Sequence, residues 1–305
     1  LCTSPEWEED SALAWGSDPT YDLALIKWLA SSLLIATRIL NIKDPDEQKW
    51  RIIMEKLADY PQDEKGFQIF RGQQLTHSHR HLSHLIAIYP LGILDVENDE
   101  KARALAYRSV HTIILKGTGE WCGFTFPLMA LIASRLKLPY MAWHFLQTYF
   151  YFITPNTFHM NADFKHYGIT TYENTAMTLE AGFCAAAALL EMLLQSWNGI
   201  IRVFPAIPEF WSEAYFYRLR AEGAFLVTSK LKNGEVEFII IESEKGKICR
   251  IQNPFPDENV SLIDLKNGKE ILLKGEVLEF NTTSRGIYLL KPQKRSLDDV
   301  SVSYE

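Results

Sequence analysis

Cysteine is scarce in this chain and widely spaced. Its four cysteines, Cys2, Cys122, Cys184 and Cys249, are distributed over 305 residues, and no two of them form a CxxC pair. This spacing suits neither a zinc site nor the dense disulfide framework of a small secreted domain. We therefore expect free thiols that are mostly buried.

Clustered basic charge and long apolar stretches are also missing. The formal net charge is −7, and the short KPQKR run at 291–295 is a solvated tail instead of a basic face, which argues against a nucleic-acid partner. The longest apolar stretches, such as 29–35 and 185–190, fall short of the ~20 residues that a membrane helix needs. We expect a soluble protein without a membrane partner.

Length and composition indicate two ordinary globular domains. A length of 305 residues exceeds the usual size of one domain and allows a sizeable core. The composition, 47% hydrophobic and 23% charged, is that of an ordinary globular protein. The first residues, from Leu1, carry no basic and apolar signal-peptide regions. We expect that an upstream part of the same polypeptide is missing, and the compartment stays open.

The first two thirds of the chain have helical periodicity. Between residue 20 and about residue 198, apolar residues recur at helical spacing without an intervening strand pattern. This predicts an all-α domain, which we assign to residues 1–205. The predicted helices lie within 20–40, 44–60, 99–115, 126–138, 139–152 and 173–197.

After Trp197 the pattern changes to short alternating runs. These runs are rich in Val, Ile and Phe and are separated by Asn-Gly or Lys-Gly turns, which is typical of hairpins. They predict a β-sandwich domain, which we assign to residues 206–305. The runs lie at 223–234, 235–247, 248–255, 260–271 and 285–290.

The most unusual segment is THSHRHLSH, residues 76–84, where four of the eight histidines surround Arg80. Imidazole is a common transition-metal ligand, but no HExxH pattern accompanies the cluster, so our preferred prediction contains no metal. A metal site, a structural loop and a ligand site stay open as interpretations. We favour ligand recognition by Arg80 and His81. The planar guanidinium of arginine presents several N–H donors, and the imidazole of histidine can donate or accept, so both suit the hydroxyl groups of a sugar.

Two acidic residues are candidates for acid–base chemistry. Glu6 follows a Ser-Pro pair and becomes a useful general acid only if burial raises its pKa toward the working pH. The alternative is an exposed acidic loop with Glu8, Glu9 and Asp10. Glu180 lies beside small residues at a helix start, where we expect partial burial in a site or in a fixed ion pair.

Five motifs, taken in order, resemble the second half of glycoside hydrolase family 95, which comprises α-L-fucosidases and α-L-galactosidases built on an (α/α)6 barrel. The similarity spans about residues 3–230. It implies the C-terminal portion of an incomplete (α/α)6 barrel followed by the β-sandwich. It also implies that the family's N-terminal β-domain and first barrel helices belong to the missing upstream part. The motifs are SPEW at 4–7, HRHLSH at 79–84, GTGEW at 117–121, EMLLQS at 191–196 and IIRVFPAIP at 200–208.

The resemblance also implies roles for individual residues. Glu6 protonates the leaving-group oxygen, and Arg80 and His81 hold the sugar in the −1 subsite. Counting back from Glu191 places Glu180 at the catalytic aspartate of the family's DGNFG motif. The chain departs from that motif, because it has Glu for Asp and loses the Asn and the following Gly.

Aromatic side chains are expected to form the sugar platform, because the C–H groups of a pyranose pack on a π face. Trp7, Trp15 and Trp121 lie nearest the motifs. We assign the platform to Trp121, since a glycine-rich loop is a site-like location, with core packing as the alternative.

The implied function is removal of a terminal α-linked L-fucose or L-galactose-like sugar from a glycan, with inversion and without a cofactor. Inversion requires one carboxyl group to protonate the leaving group and a basic group to activate water. Two alternatives stay open: another (α/α)6-barrel activity such as a glycoside phosphorylase, and a non-catalytic carbohydrate-binding fragment.

Overall fold

The computed structural model describes residues 4–7, 13–156, 159–255 and 259–296. The chain divides into two compact units, Leu1–Ala188 and Leu189–Glu305. The division lies earlier than the predicted boundary at 205/206, because residues 194–203 form two strands that belong to a sheet of the second unit. The assignment of residues 1–205 to a barrel portion and of residues 206–305 to a β-sandwich domain stays a prediction.

Helices dominate the first unit, and each of the six predicted helical segments contains one α-helix. Asp99 caps α3 by accepting the backbone N–H groups of Lys101 and Ala102, and Pro139 begins α5 with a φ suited to the first turn. A hairpin of β1 (Gln62–Asp63) and β2 (Gly66–Phe67) corrects the all-α prediction. The helices are α1 (Thr20–Leu40), α2 (Glu47–Lys56), α3 (Glu100–Leu115), α4 (Thr125–Arg135), α5 (Pro139–Tyr149) and α6 (Leu179–Leu193).

The sequence was expected to contain no segment long and apolar enough to span a membrane, and helix α1 corrects this expectation. It is 21 residues long with a mean hydropathy of 1.7, which meets the length and composition of a membrane span. The count of uninterrupted apolar runs missed it because polar residues such as Lys27 and Thr37 interrupt the sequence. A core helix of a soluble protein passes the same test, so this criterion alone does not assign α1 to a membrane.

Several helices carry an apolar face that no described residue covers. Ala181 and Ala185 on α6 are buried, whereas Leu179 and Phe183 on its other side are exposed. Helix α2 has no buried residue among those described. Helices that are apolar on two sides belong in the interior of a larger assembly of helices.

The second unit consists of two β-sheets. One has the strand order β10-β9-β12-β7-β6-β5 and the other β11-β8-β4-β3, with all neighbours antiparallel except β4 and β8. One core cluster contains Val227 and Ile241 from the first sheet and Ile201 and Ile251 from the second, so the sheets pack face to face. The strands are β3 (Leu194–Trp197), β4 (Ile200–Val203), β5 (Glu213–Ala221), β6 (Phe225–Lys232), β7 (Glu235–Ser243), β8 (Ile248–Gln252), β9 (Val260–Asp264), β10 (Glu270–Leu273), β11 (Val277–Asn281) and β12 (Gly286–Pro292).

The three cysteines within the described residues are free, as predicted. Cys122 and Cys249 are buried and Cys184 is half-buried. Burial raises the pKa of Cys184 and of Cys249 to about 12, so neither thiol forms a thiolate at neutral pH. Cys2 lies outside the described residues.

Candidate active site

Glu6 lies in a short 3-10 turn, Pro5–Trp7, and its side chain is buried. The backbone N–H of Ser83 donates to Oε1 at 2.6 Å, and the Ser83 hydroxyl donates to Oε2 at 2.8 Å. The Ser4 hydroxyl donates to the same Oε2 atom, and Nδ1 of His84 lies 3.6 Å from Oε1. The turn and the end of the histidine motif therefore enclose one carboxylate between them.

These surroundings fix the charge of Glu6. Burial alone would raise the pKa of the carboxyl group, but His84 and the hydroxyls of Ser4 and Ser83 stabilise the anion more strongly. The pKa of Glu6 therefore falls from 4.5 to about 2, and the group is ionised at neutral pH. From the sequence, Glu6 was a candidate general acid only on the condition that burial raised its pKa, with an exposed acidic loop as the alternative. Glu6 is buried, but the shift has the opposite sign because the donors outweigh the burial.

Arg80 and His81 lie just before the residues that enclose Glu6, and both are half-buried. The guanidinium of Arg80 stands 5.7 Å from the ring centroid of Tyr172, which is a cation–π distance. The backbone carbonyl of Arg80 accepts the hydroxyl of Thr125 at 3.0 Å, which ties the motif to the start of α4. The structure thus brings Glu6, Arg80 and His81 into one region, and it adds Tyr172, which the sequence did not single out.

The histidines of the motif form a row of rings against buried Trp7. Ring centroids lie 5.5 Å apart for Trp7 and His77, 6.1 Å for His77 and His79, and 5.4 Å for His79 and His81. Burial and the charges of His81 and Arg80 lower the pKa of His79, so its neutral Nδ1 accepts the backbone N–H of His81 at 3.0 Å. Within the described residues, no three His, Cys, Asp or Glu side chains are grouped as metal ligands.

Trp121 does not offer a sugar platform, which corrects its assignment from the sequence. The side chain is 1% exposed, and its ring packs on Phe126 at 5.2 Å and on Phe145 at 5.6 Å. The loop that carries it nevertheless supports the site. Ser78 donates to the carbonyl of Gly117 at 2.9 Å and accepts the backbone N–H of Glu120 at 3.0 Å, which holds the histidine motif against the loop.

Glu180 lies in the first turn of α6, and its side chain is exposed. Partial burial was expected from the small residues beside it. Those small residues, Ala181 and Ala185, form the buried face of the helix and leave Glu180 on the other side. A carboxylate in a first turn is favoured by the helix dipole, and this one also acts electrostatically on His159. Glu8, Glu9 and Asp10 lie outside the described residues.

His159 is a buried titratable group beside Glu180 that the sequence did not mark as functional. Its ring stacks on Tyr149 with a centroid distance of 4.9 Å, and neither ring nitrogen has a hydrogen-bond partner among the described residues. Burial lowers the pKa of His159 to about 4, although the charge of Glu180 and the backbone of Gly123 act in the opposite direction. Its carbonyl accepts the N–H of Thr178 at 3.0 Å, which places it next to the start of α6. No local motif signals this residue, because distant loops create its surroundings.

Gly123 makes room for His159, and substituting it is expected to destabilise the first unit. A Cβ atom at position 123 would lie 2.6 Å from two ring atoms of His159, and the stack on Tyr149 blocks the retreat of the ring. We expect Gly123→Ala to lower the free energy of unfolding by about 2–3 kcal/mol, measured by urea denaturation. Gly119→Ala is the matched control, because nothing lies within 4 Å of its Cβ position. Equal stability of the two variants would contradict the prediction.

Two models of one protein family match this chain. The model of the glycosyl hydrolase family 95 catalytic domain matches residues 1–193, and that of the glycoside hydrolase family 95 C-terminal domain matches residues 195–290. Alpha-L-fucosidase 2 of Arabidopsis thaliana is 28% identical over 228 residues, which cover 72% of this chain and 26% of that protein. The chain thus spans about a quarter of the length of this curated relative.

A solved structure of a family 39 glycoside hydrolase from the gut symbiont Bacteroides cellulosilyticus WH2 is also similar, at 16% identity. The match covers 57% of this chain and 32% of the chain in that structure. Its TM-score is 0.22, which is too low to support a conclusion about the fold. Together, the two family models match residues 1–193 and 195–290 of the 305 residues. The chain belongs to glycoside hydrolase family 95.

Proposed function

We propose that the longer protein containing this chain removes a terminal α-linked L-fucose or L-galactose-like sugar from a glycan, with inversion at the anomeric carbon. The observation that carries the proposal is the buried carboxylate of Glu6, which Ser83 and His84 hold at the end of the motif that contains Arg80 and His81, in a chain of this family. The six helices are the C-terminal portion of an (α/α)6 barrel. Their exposed apolar faces are consistent with packing against further helices of the same polypeptide.

Each proposed residue has a distinct role. Arg80 and His81 bind the hydroxyl groups of the sugar in the −1 subsite, where a charged fork of donors gives directional hydrogen bonds. Glu6 protonates the leaving-group oxygen. Glu180 belongs to the water-activating side, where its carboxylate polarises the groups that position the attacking water. Inverting enzymes separate these two functions on opposite faces of the sugar.

Acid catalysis by Glu6 requires a change in its surroundings. A general acid must carry a proton at the working pH, and the donors from Ser4, Ser83 and His84 keep this carboxylate ionised. Entry of the leaving-group oxygen displaces part of this set of donors. The effect of burial then dominates, and the pKa of Glu6 rises into the working range.

A screen of the full-length protein on aryl glycosides tests the proposal, with the anomer of the released sugar followed by NMR. We expect turnover of an α-L-fucoside or α-L-galactoside with inversion. Arg80→Ala is expected to raise KM about 10–100-fold, because it removes charged hydrogen bonds to the sugar. Arg71→Ala is the matched control, since the side chain of Arg71 forms an exposed ion pair with Asp18. Turnover that required phosphate would indicate a phosphorylase, and unchanged KM in Arg80→Ala would contradict the assigned subsite.

A second candidate is a sugar-binding protein without turnover. The ionised state of Glu6 and the exposed position of Glu180 favour it, because neither carboxyl group has the environment of a poised acid or base. The same screen separates the candidates. A full-length protein that binds the sugar through Arg80 but hydrolyses none of the glycosides would support the second.

A further inference from the structure

The second unit has an open cavity at the start of β5 with an aromatic wall. The cavity measures about 550 Å³, and the rings of Phe210, Trp211 and Tyr215 line it together with Ser212 and Glu213. Phe210 is 58% exposed and Tyr215 is 46% exposed. A contiguous exposed surface of large rings with a polar rim marks a ligand or interaction site more often than a single exposed ring does.

The strand geometry extends this surface. Within the part of the chain that the structure describes, β5 is the outermost strand of its sheet and pairs with β6 alone. Alternation along the strand turns Phe216 into the core and leaves Tyr215 and Tyr217 exposed on the other face. The two tyrosines are about 7 Å apart along the strand. A bulge between Phe216 and Leu219 adds local twist to the strand.

We propose that this aromatic surface, formed by Phe210, Trp211, Tyr215 and Tyr217, is a further glycan-binding site carried by the β-sandwich. Exposed rings pack against the C–H faces of sugars, and Phe210, Tyr215 and Tyr217 are exposed whereas Trp211 is half-buried. The hydroxyl of Ser212 and the carboxylate of Glu213 supply the hydrogen bonds that sugar hydroxyls require. The ligand is a neutral oligosaccharide chain, because the carboxylate of Glu213 in the lining disfavours acidic sugars.

This site requires no catalysis, so it is independent of the proposed hydrolase activity. Its role, which rests on the proposed function, is to hold a polysaccharide chain on the same polypeptide as the hydrolase and so raise the local concentration of substrate ends. Failure of the glycoside screen leaves the site intact, and failure of the site leaves hydrolysis at Glu6 intact.

Affinity electrophoresis of the intact 305-residue chain tests the site, with soluble xyloglucan or hydroxyethyl cellulose in the gel. All variants carry Arg80→Ala, so that retardation reports the second unit. We expect the chain to be retarded by at least one polysaccharide, and Phe210→Ala with Tyr215→Ala to weaken the apparent affinity at least about tenfold. Both side chains are exposed, so circular dichroism should stay unchanged.

Leu272→Ala is the matched control, because Leu272 is an exposed apolar residue on β10 at the opposite edge of the same sheet. It should not alter retardation. The proposal is overturned if neither polysaccharide retards the chain, or if the Phe210 and Tyr215 substitutions leave retardation unchanged. It is also overturned if those substitutions change the oligomeric state in size-exclusion chromatography, since the surface would then be a protein contact.

Discussion

Glu6→Gln is expected to slow glycoside hydrolysis by the full-length protein about 10²–10⁴-fold, the range that a positioned general acid supplies. Glutamine keeps the shape of the side chain but has no transferable proton. We expect a similar loss for Glu180→Gln if its carboxylate polarises the attacking water. Activity on an α-L-fucoside that survived both substitutions would exclude these residues from the reaction.

The same Glu6→Gln variant is expected to change stability as a function of pH. The folded pKa of about 2 lies below the unfolded value of 4.5. As the pH falls below 4.5, the unfolded chain takes up a proton that the folded chain does not bind until about pH 2. The contribution of Glu6 is therefore fully present above pH 4.5 and is lost between pH 4.5 and pH 2. A shift of this size corresponds to about 3 kcal/mol.

Urea denaturation of the chain between pH 7 and pH 3 measures this contribution. The stability advantage of the native chain over Glu6→Gln should shrink as the pH falls through this window. Glu244→Gln is the control, because Arg220 also lowers the pKa of Glu244 but that carboxylate is exposed and screened by solvent. Parallel pH profiles for the native chain and Glu6→Gln would show that the donors around Glu6 do not hold the anion.

Helices such as α3 were predictable because their apolar residues recur every three to four positions. Strand β5 was not, because Tyr215 and Tyr217 on its exposed face are as apolar as Phe216 on its buried face. A strand with rings on both faces loses the contrast that alternation depends on. The end of α6 was placed too late for a related reason: residues 194–197 continue the apolar character of the helix but pair with β4.

The order of the motifs proposes Glu6, Arg80 and His81 as site residues, and this stays a prediction. The environment of Glu6 was not predictable, because its donors come from Ser83 and His84, far away in the sequence. Only the fold shows that these donors reverse the effect of burial on the pKa. Trp121 failed as a platform for the same reason, since residues of α4 and α5 cover its ring.

His159→Phe is expected to make the first unit more resistant to mild acid. The folded pKa of about 4 lies below the ordinary histidine value of 6.5, because burial disfavours the charged ring. As the pH falls from 6.5 to 4, the unfolded chain binds a proton at His159 while the folded chain does not. Stability is therefore unaffected by this group above pH 6.5 and decreases below it, by about 3 kcal/mol at pH 4.

Phenylalanine keeps a flat ring on Tyr149 and does not titrate, so the loss of stability between pH 6.5 and pH 4 should be smaller in His159→Phe by about that amount. Urea denaturation at half-unit pH steps measures the difference, and NMR of the ring protons reports the pKa of His159 directly. His111→Phe is the control, since His111 is exposed on α3. An ordinary titration of His159 near pH 6.5 would mean that its ring reaches solvent or a polar partner. It would also mean that the pocket between Gly123 and Tyr149 does not exclude water beside Glu180.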